Sequence, residues 1–215
     1  MASAAIGGRT SGPPLTAADL ALDYAERALL LFLYLLLLAR IGPSLGKVPI
    51  NSLLLVGESL VVGFVVFRRG SADVSKRPLD WVLALGGTLP SLFLRPGGQA
   101  LVPPGPAGVL MIAGILLQVS AKASLRRSFG MAPANRGVKR GGPYRLVRHP
   151  IYLGYALTWF GFLLINFQLF DLSLVVFACG MQVARVGAEE RLLRRDPAYA
   201  AYARQVRFRL VPWAW

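Results

Sequence analysis

The sequence predicts an all-α fold, a polytopic membrane bundle of about five to six transmembrane helices. Two properties of the 215-residue chain support this fold class: 55% of its residues are hydrophobic and only 16% are charged. Mean hydropathy is +0.54, which is unlike a soluble domain. A further observation is the series of long apolar segments separated by short polar stretches.

Six apolar segments approach the roughly 20 residues that a bilayer-spanning helix needs. The first depends on Arg27 and Arg40 reaching the interface, and the sixth is short and carries Arg185, so we expect it to cross only partway. No internal repeat is visible, which disfavours a transporter built from duplicated halves. The segments are residues 22–42, 48–67, 79–94, 105–121, 151–170 and 172–188.

The chain divides into three parts by composition. Residues 1–20 are rich in Gly, Pro, Ser and Ala and lack the apolar core of a signal peptide, which predicts a flexible, retained cytoplasmic tail. Residues 21–104 are expected to form the N-terminal membrane helices. Residues 105–215 hold the remaining helices and nearly all the residues with distinctive chemistry.

The formal net charge is +14, but the basic residues alternate with apolar runs instead of forming one soluble basic face. We therefore expect contact with anionic lipid headgroups and not with nucleic acid. Positive charge in short loops marks the cytoplasmic side, which places both termini in the cytoplasm, at the inner membrane if the cell is bacterial. The residues assigned to that side are Arg68, Arg69, Lys76, Arg77, Lys122, Arg126, Arg127, Arg136, Lys139, Arg140, Arg145, Arg148, Arg191, Arg194, Arg195, Arg204, Arg207 and Arg209.

The most distinctive stretch is GGPYRLVRHPIYLG, residues 141–154, which contains the only histidine of the chain. The Gly-Gly-Pro start breaks any preceding helix, and Pro150 suits the first turn of the next one, so a helix is expected to begin just after His149. Its free N–H groups favour a carboxylate or phosphate. Two readings of His149 remain open: a hydrogen bond to a neighbouring carbonyl, or a ligand contact.

Beyond this turn, small residues recur at helical spacing. Pro150, Gly154, Thr158 and Gly161 form a smooth stripe that allows another backbone or a flat ligand to approach closely. Small-residue packing between helices is the alternative and is common in membranes.

A second group of interest is the pair Glu189 and Glu190, because the whole chain has only ten acidic residues. One interpretation is spaced ion pairs, Arg185 with Glu189 and Glu190 with Arg194. The other is that the glutamates hold a cation in an otherwise basic region. After them, Asp196 and Pro197 predict the N-cap and first turn of a helix lying along the headgroups, whose Tyr199, Tyr202 and Val206 share a face.

Two further residues, Cys179 and Glu58, lie in apolar segments. Cys179 lies in an apolar run and is interpreted as packing, and the lone histidine without a Cys or Asp cluster predicts no metal site. Glu58 lies inside the second apolar segment. An ionisable group there is a functional candidate, with Ser52, Ser59 or a lipid interface as alternative partners.

The order RHPIYLG, then EE about 35 residues later, then a Tyr-rich helix and a terminal RLVP resembles the isoprenylcysteine carboxyl methyltransferase family and the related phospholipid methyltransferases. The resemblance covers residues 108–213. It implies an integral membrane enzyme with a cytoplasmic cofactor site for S-adenosylmethionine, needing no metal. The chain lacks the longer N-terminal helical region of the eukaryotic enzymes that act on prenyl-cysteine.

The resemblance also implies roles for individual residues. It assigns catalytic roles to Glu190 and Arg209. It assigns the cofactor to Gln118, Tyr144, His149, Pro150, Tyr152, Leu153, Gly154, Glu189 and Glu190.

The expected activity is methyl transfer to a lipid-like or isoprenoid acceptor that enters from the bilayer, at a carboxylate oxygen or an amine nitrogen. The basic residues Arg126, Arg127, Lys139 and Arg140 are candidates for holding its head, although positive-inside topology also explains them. Two alternatives remain: an NADPH-dependent reductase of a sterol-like lipid, since sterol reductases resemble this region, and a non-catalytic membrane scaffold. The sequence leaves the oligomeric state open.

Overall fold

The computed structural model describes residues 16–67, 77–125, 138 and 140–212, and no β-strand occurs within these ranges. The predicted all-α fold is therefore confirmed. The α-helices in the described ranges are α1 (Ala17–Ile41), α2 (Ser52–Val66), α3 (Pro78–Gly86), α4 (Pro104–Leu125), α5 (Pro150–Ile165), α6 (Leu169–Leu193) and α7 (Pro197–Gln205). Short 3-10 turns at Gly42–Ser44, Pro49–Asn51, Leu89–Phe93 and Gly142–Arg145 join some of them.

Three helical stretches of the described chain are long and apolar enough to cross a membrane: Pro49–Val66, Pro104–Leu125 and Leu169–Leu193. The helix α5 is apolar but has 16 residues. The prediction that the sixth segment is short was wrong, because α6 has 25 residues and continues to Leu193. Its polar second half remains helical because Gln182, Arg185 and Glu190 are buried against partners from other elements.

The prediction that the third segment is one continuous helix was wrong. The helix α3 ends at Gly86 after nine residues, and a 3-10 turn follows at Leu89–Phe93. Helix α6 packs against this break. A Cβ on Gly86 would lie 2.4 Å from Met181 Cε, and Gln182 Nε2 donates to the Gly87 carbonyl at 2.9 Å. Helix α6 therefore lies directly against this double glycine.

The tightest helix pair is α4 against α5. A Cβ on Gly154 would lie 2.7 Å from the Gly114 carbonyl oxygen, and one on Gly161 would lie 2.4 Å from Met111 Cγ. The small-residue stripe of α5 is therefore covered by α4. Of the two alternatives for this stripe, a flat ligand or a neighbouring helix, the structure shows the neighbouring helix.

Local signals placed two helix starts correctly. The helix α5 begins at Pro150 with His149 as its N-cap, as predicted. The helix α7 begins at Pro197, and the Asp196 side chain accepts a hydrogen bond of 2.8 Å from the Ala198 N–H, which confirms the predicted cap. In contrast, α1 begins at Ala17, inside the predicted 1–20 tail, because its first residues already have good helix propensity.

At the end of the bundle where α5 finishes and α6 begins, polar side chains hold the connecting loops; we call this the far end. Asp171 accepts from the Arg95 backbone N–H at 3.1 Å and lies 3.7 Å from its guanidinium. Asn166 accepts from the Gly97 N–H at 3.0 Å and donates to Asn51 at 2.8 Å. The helix α5 thus ends at Ile165, five residues before the predicted boundary at 170, because Asn166 turns into this network.

Several basic residues of the topology prediction lie outside the described residues. The described part of the chain shows the apolar helices but not which side of a membrane each end faces, so the cytoplasmic orientation stays a prediction. The residues concerned are Arg68, Arg69, Lys76, Arg126, Arg127, Arg136 and Lys139.

Candidate functional site

The two distinctive motifs of the sequence meet at the end of the bundle opposite the far end. The last turns of α6 bring Glu189 and Glu190 to the first turn of α5. His149 lies between them, with its Nδ1 3.6 Å from Glu189 Oε2 and its Nε2 3.4 Å from Glu190 Oε1. Residues separated by 40 positions therefore form one buried group. We call it the glutamate cluster; it comprises Arg148, His149, Tyr152, Arg185, Glu189 and Glu190.

The two oxygens of the Glu190 carboxylate have different surroundings. Its Oε1 faces inward, 2.8 Å from the Nε of Arg148, and it accepts from the Tyr199 hydroxyl at 3.4 Å. Its Oε2 faces outward and accepts from Arg194 at 3.1 Å, with the Arg209 guanidinium 3.5 Å away. The Arg148 side chain is 5% exposed, whereas those of Arg194 and Arg209 are 53% and 33% exposed. The Glu190 side chain is itself 4% exposed, so its outward oxygen is covered by two side chains that reach solvent.

Glu189 is held by groups on both helices. The Tyr152 hydroxyl of α5 donates to its Oε1, and the Nε of Arg185, one turn earlier on α6, donates to the same oxygen at 3.1 Å. The Arg185 guanidinium also lies 5.1 Å from the centre of the Tyr152 ring, and that ring stacks on His149 at 5.9 Å. The predicted spaced ion pairs, Arg185 with Glu189 and Glu190 with Arg194, are both present.

The segment after α7 fixes the start of α5 from outside. Backbone N–H groups of Arg148 and His149 donate to the carbonyls of Phe208 and Arg209 at 3.0 and 2.8 Å. These bonds tie the backbone just before α5 to the segment that follows α7. They also carry the Arg209 side chain to Glu190, in agreement with the expectation that the C-terminal RLVP belongs to the same region.

The helix α7 packs by its aromatic face, but it ends at Gln205, so Val206, which was predicted on the same helical face, is its C-cap; its place along the headgroups stays a prediction. Tyr199 and Tyr202 are buried and meet edge to face at 5.6 Å, and Tyr202 donates to the Tyr144 carbonyl at 2.7 Å. Arg204 and Arg207 are exposed. Burial raises the pKa of Tyr202 to about 12 and that of Tyr144 further. These phenols therefore stay protonated and act as hydrogen-bond donors near neutral pH.

The electrostatics of His149 are set by its two acidic neighbours. Burial lowers the pKa of an imidazole, but the hydrogen bonds and charges of Glu189 and Glu190 outweigh burial, so the pKa of His149 lies above its usual value. Arg148 and Arg185 supply the balancing positive charge from the protein side. His149 is therefore a charged partner of the carboxylates at mildly acidic pH.

The remaining predicted cofactor residues lie on α4 and α5. Pro150 is buried at the first position of α5, and Leu153 is half-buried along it. Gly154 contacts α4, and its open face is filled there by Gln118. Gln118 donates to Thr158 at 3.1 Å and accepts from Lys122 at 3.2 Å. It therefore belongs to a separate buried network deeper in the bundle, and its cofactor role stays a prediction.

The sequence reasoning missed the burial of two cations, one of them a member of the cluster. It assigned Arg148 to loop charge, but the side chain is buried on Glu190. It also placed Lys122 in a loop, whereas this residue is fully buried within α4. A usable signal existed for Lys122, because it follows Gln118 by four positions and so continues the same helix face.

Chemically, the glutamate cluster offers carboxylates, cationic side chains and aromatic rings within one small volume. Such a set suits a ligand that has both an ammonium and hydroxyl groups. Within the described ranges, no group of three or more His, Cys, Asp or Glu residues is arranged to hold a metal ion.

Residues 102–206, just under half of the chain, match a family described as a protein of unknown function, DUF1295. In general, this is a family of membrane-associated proteins related to steroid 5-alpha reductase and to methyltransferase-like proteins. The chain has no significant match among curated proteins. The matched region contains both halves of the glutamate cluster, so the candidate site lies within the part of the chain that is similar to this family.

Proposed function

We propose that this protein is a membrane methyltransferase that uses S-adenosylmethionine and acts on a lipid-like or isoprenoid acceptor. The observation that carries the proposal is the convergence of His149 and Tyr152 with Glu189 and Glu190. The sequence resemblance assigns both motifs to one cofactor, and the two motifs lie within hydrogen-bonding distance of each other. The apolar helices below them suit an acceptor taken from the bilayer.

The outward oxygen of Glu190, which is covered by side chains that reach solvent, is the proposed contact point for the cofactor. Oε2 would hold the cofactor ammonium in place of Arg194 and Arg209, because these two side chains are the partly solvated partners of this carboxylate. Arg148 stays in place on the inward oxygen. The displaced arginines are then available to the cofactor carboxylate or to an anionic acceptor.

The other polar parts of the cofactor also have matching partners. Ribose hydroxyls suit Glu189, and the aromatic ring of Tyr152 suits a sulfonium, since the face of an aromatic ring attracts cations. Methyl transfer is a direct displacement, so the protein mainly aligns the acceptor atom with the methyl–sulfur axis and excludes water. A carboxylate acceptor needs no general base. An amine acceptor has to enter in its neutral form, because Arg148 and the cofactor ammonium would engage both oxygens of Glu190.

A reductase is the second candidate, and the relation of the matched family to steroid 5-alpha reductase is the observation that favours it. In this alternative, Arg194 and Arg209 bind nucleotide phosphates instead of being displaced by an ammonium. The two candidates therefore predict different ligands for the same arginines.

Calorimetric titration of the purified protein in neutral detergent separates the candidates. S-adenosylhomocysteine should give saturable heat, and NADPH should give none. Glu190→Gln should weaken the binding of S-adenosylhomocysteine at least about five-fold, which corresponds to about 1 kcal/mol for a charge-assisted hydrogen bond.

Heat with NADPH alone would replace the methyltransferase with the reductase. If neither ligand gives heat while the protein remains monodisperse and helical, the non-catalytic membrane scaffold would be the better interpretation. An unchanged affinity in Glu190→Gln would remove this residue from the cofactor site.

A further inference from the structure

The outward oxygen of Glu190 meets more positive charge than the glutamate cluster needs. Inside the cluster, two buried arginines already balance the two carboxylates, at 2.8 and 3.1 Å. Arg194 and Arg209 add two further cations at Oε2 of Glu190, at 3.1 and 3.5 Å. The outer side of the cluster therefore has a net positive charge, which attracts an anion to this position.

Arg194 is the outermost of these cations. It is the C-cap of α6 and directly follows Leu169–Leu193, a stretch long and apolar enough to cross a membrane. Its side chain is 53% exposed, and its Nε and Nη2 both donate to Oε2 of Glu190, at 3.2 and 3.1 Å. A guanidinium has five N–H donors, more than one carboxylate oxygen can accept. Because solvent reaches this guanidinium, an anion at the membrane surface can reach it as well.

The surface around Arg194 is basic. None of the acidic residues whose side chains the structure describes is exposed. Among the described basic residues, the far end exposes Lys47 and Arg95. The end that holds the glutamate cluster exposes Arg77, Arg140, Arg145, Arg191, Arg194, Arg195, Arg204 and Arg207. A layer of anionic phospholipid headgroups is complementary to such a surface.

The positive-inside tendency places arginines at one end of a membrane protein, but it does not require one of them to cover a buried carboxylate. The inward oxygen of Glu190 has its own partners, with Arg148 at 2.8 Å and the Tyr199 hydroxyl at 3.4 Å. If Arg194 leaves, Arg148 stays, so the carboxylate is not buried without a cation. The contact of Arg194 with Glu190 can therefore be exchanged for another anion.

We propose that the phosphate of an anionic phospholipid headgroup binds Arg194 in exchange for Glu190, and that this exchange uncovers Oε2 for the cofactor ammonium. A phosphate offers a guanidinium two oxygens for parallel hydrogen bonds, whereas Glu190 offers Arg194 one. Anionic lipid thus activates the binding of the cofactor. The activation rests on the proposed function, whereas the binding of the phosphate to Arg194 does not.

The lipid-binding step is measured without the cofactor. Full-length protein in neutral detergent receives equal amounts of phosphatidylglycerol and phosphatidylcholine, and native mass spectrometry counts the bound lipids. The wild type should retain phosphatidylglycerol preferentially, and Arg194→Gln should bind it at least about five-fold more weakly. Arg204→Gln is the matched control, because it removes an exposed arginine of α7, and it should bind nearly as the wild type does. An equal loss in both variants would overturn the assignment of the phosphate to Arg194.

The activation step is measured by calorimetric titration with S-adenosylhomocysteine in nanodiscs. The ammonium and carboxylate of this ligand cancel, so an anionic bilayer does not concentrate it. Wild-type protein should bind it at least about five-fold more tightly in discs that contain phosphatidylglycerol than in discs of phosphatidylcholine alone. Arg194→Gln should bind tightly in both discs, because its Glu190 has already lost this contact. Arg204→Gln should keep the dependence on lipid.

The outcomes separate the two steps and the source of the phosphate. Wild-type protein that binds S-adenosylhomocysteine equally in both discs would overturn the activation. The same increase in affinity on adding inorganic phosphate to phosphatidylcholine discs would overturn the lipid as the source. If S-adenosylhomocysteine gives no heat in either disc while phosphatidylglycerol binding still depends on Arg194, the proposed function fails and the lipid site stands.

Discussion

The two ends of the bundle each bury a carboxylate of α6 beside an arginine, yet they use it differently. At the far end, Asp171 accepts from a backbone N–H of the loop before α4, and its guanidinium partner Arg95 is 46% exposed. In the glutamate cluster, Glu190 meets only side chains, and Arg148 is 5% exposed. Asp171 therefore fastens a loop, whereas Glu190 belongs to a group of side chains whose outer members reach solvent.

The largest effect is expected from removing each carboxylate in turn. Glu190→Met leaves Arg148 buried without its partner and should cost about 3–5 kcal/mol of unfolding free energy. Asp171→Met should cost less, about 1–3 kcal/mol, because Arg95 can reach water and mainly a backbone N–H loses its acceptor. Denaturant unfolding in detergent measures both. Equal costs would show that the two carboxylates do the same structural work.

An intermediate effect is expected where α4 covers α5. Gly154→Ala places a Cβ 2.7 Å from the Gly114 carbonyl oxygen and should destabilise by about 1–3 kcal/mol through overpacking. Gly180→Ala on α6 is the matched control, because nothing lies within 4 Å of its Cβ. The control should be neutral or stabilise by up to about 1 kcal/mol through helix propensity. A harmless Gly154→Ala would contradict the tight contact and reopen this face to a ligand.

The smallest effect is expected from pH, and it should be confined to the glutamate cluster. The pKa of His149 is raised in the folded protein, so its contribution to stability is complete below about 6.5 and is lost as the pH rises through the folded value. The unfolding temperature of the wild type should therefore fall between pH 6 and pH 8.5 by more than that of His149→Gln. Parallel curves for the two proteins would indicate that His149 does not change its protonation in this range.

The same contrast explains which parts were predictable from the sequence. The starts of α5 and α7 depend on Pro150, Asp196 and their immediate neighbours, so local signals located both. The ion pair of Arg185 with Glu189 follows from helical spacing alone. Features that depend on neighbouring residues in the chain were thus correctly placed.

Features that depend on distant parts of the chain were not predicted correctly. The break after Gly86 has a local signal, Gly86 and Gly87 followed by Pro90, which the apolar character of the third segment outweighed in the prediction; only its contact with Met181, almost 100 residues later, depends on a distant element. The length of α6 was underestimated because its polar end lowers the hydropathy, while partners such as Arg148 come from another part of the chain. Burial of Lys122 was missed for the same reason: a lysine at the end of an apolar run is normally a loop charge.

The comparison of the two ends is tested most directly by the affinity for S-adenosylhomocysteine, measured by calorimetry in three proteins. The wild type and Asp171→Asn should bind with the same affinity, because Asp171 only fastens a loop at the far end. Glu190→Gln should bind at least about five-fold more weakly, since it loses the charge of the carboxylate proposed to hold the cofactor ammonium. Equal affinities in all three proteins, or a larger loss in Asp171→Asn, would contradict the account of the glutamate cluster as the cofactor site.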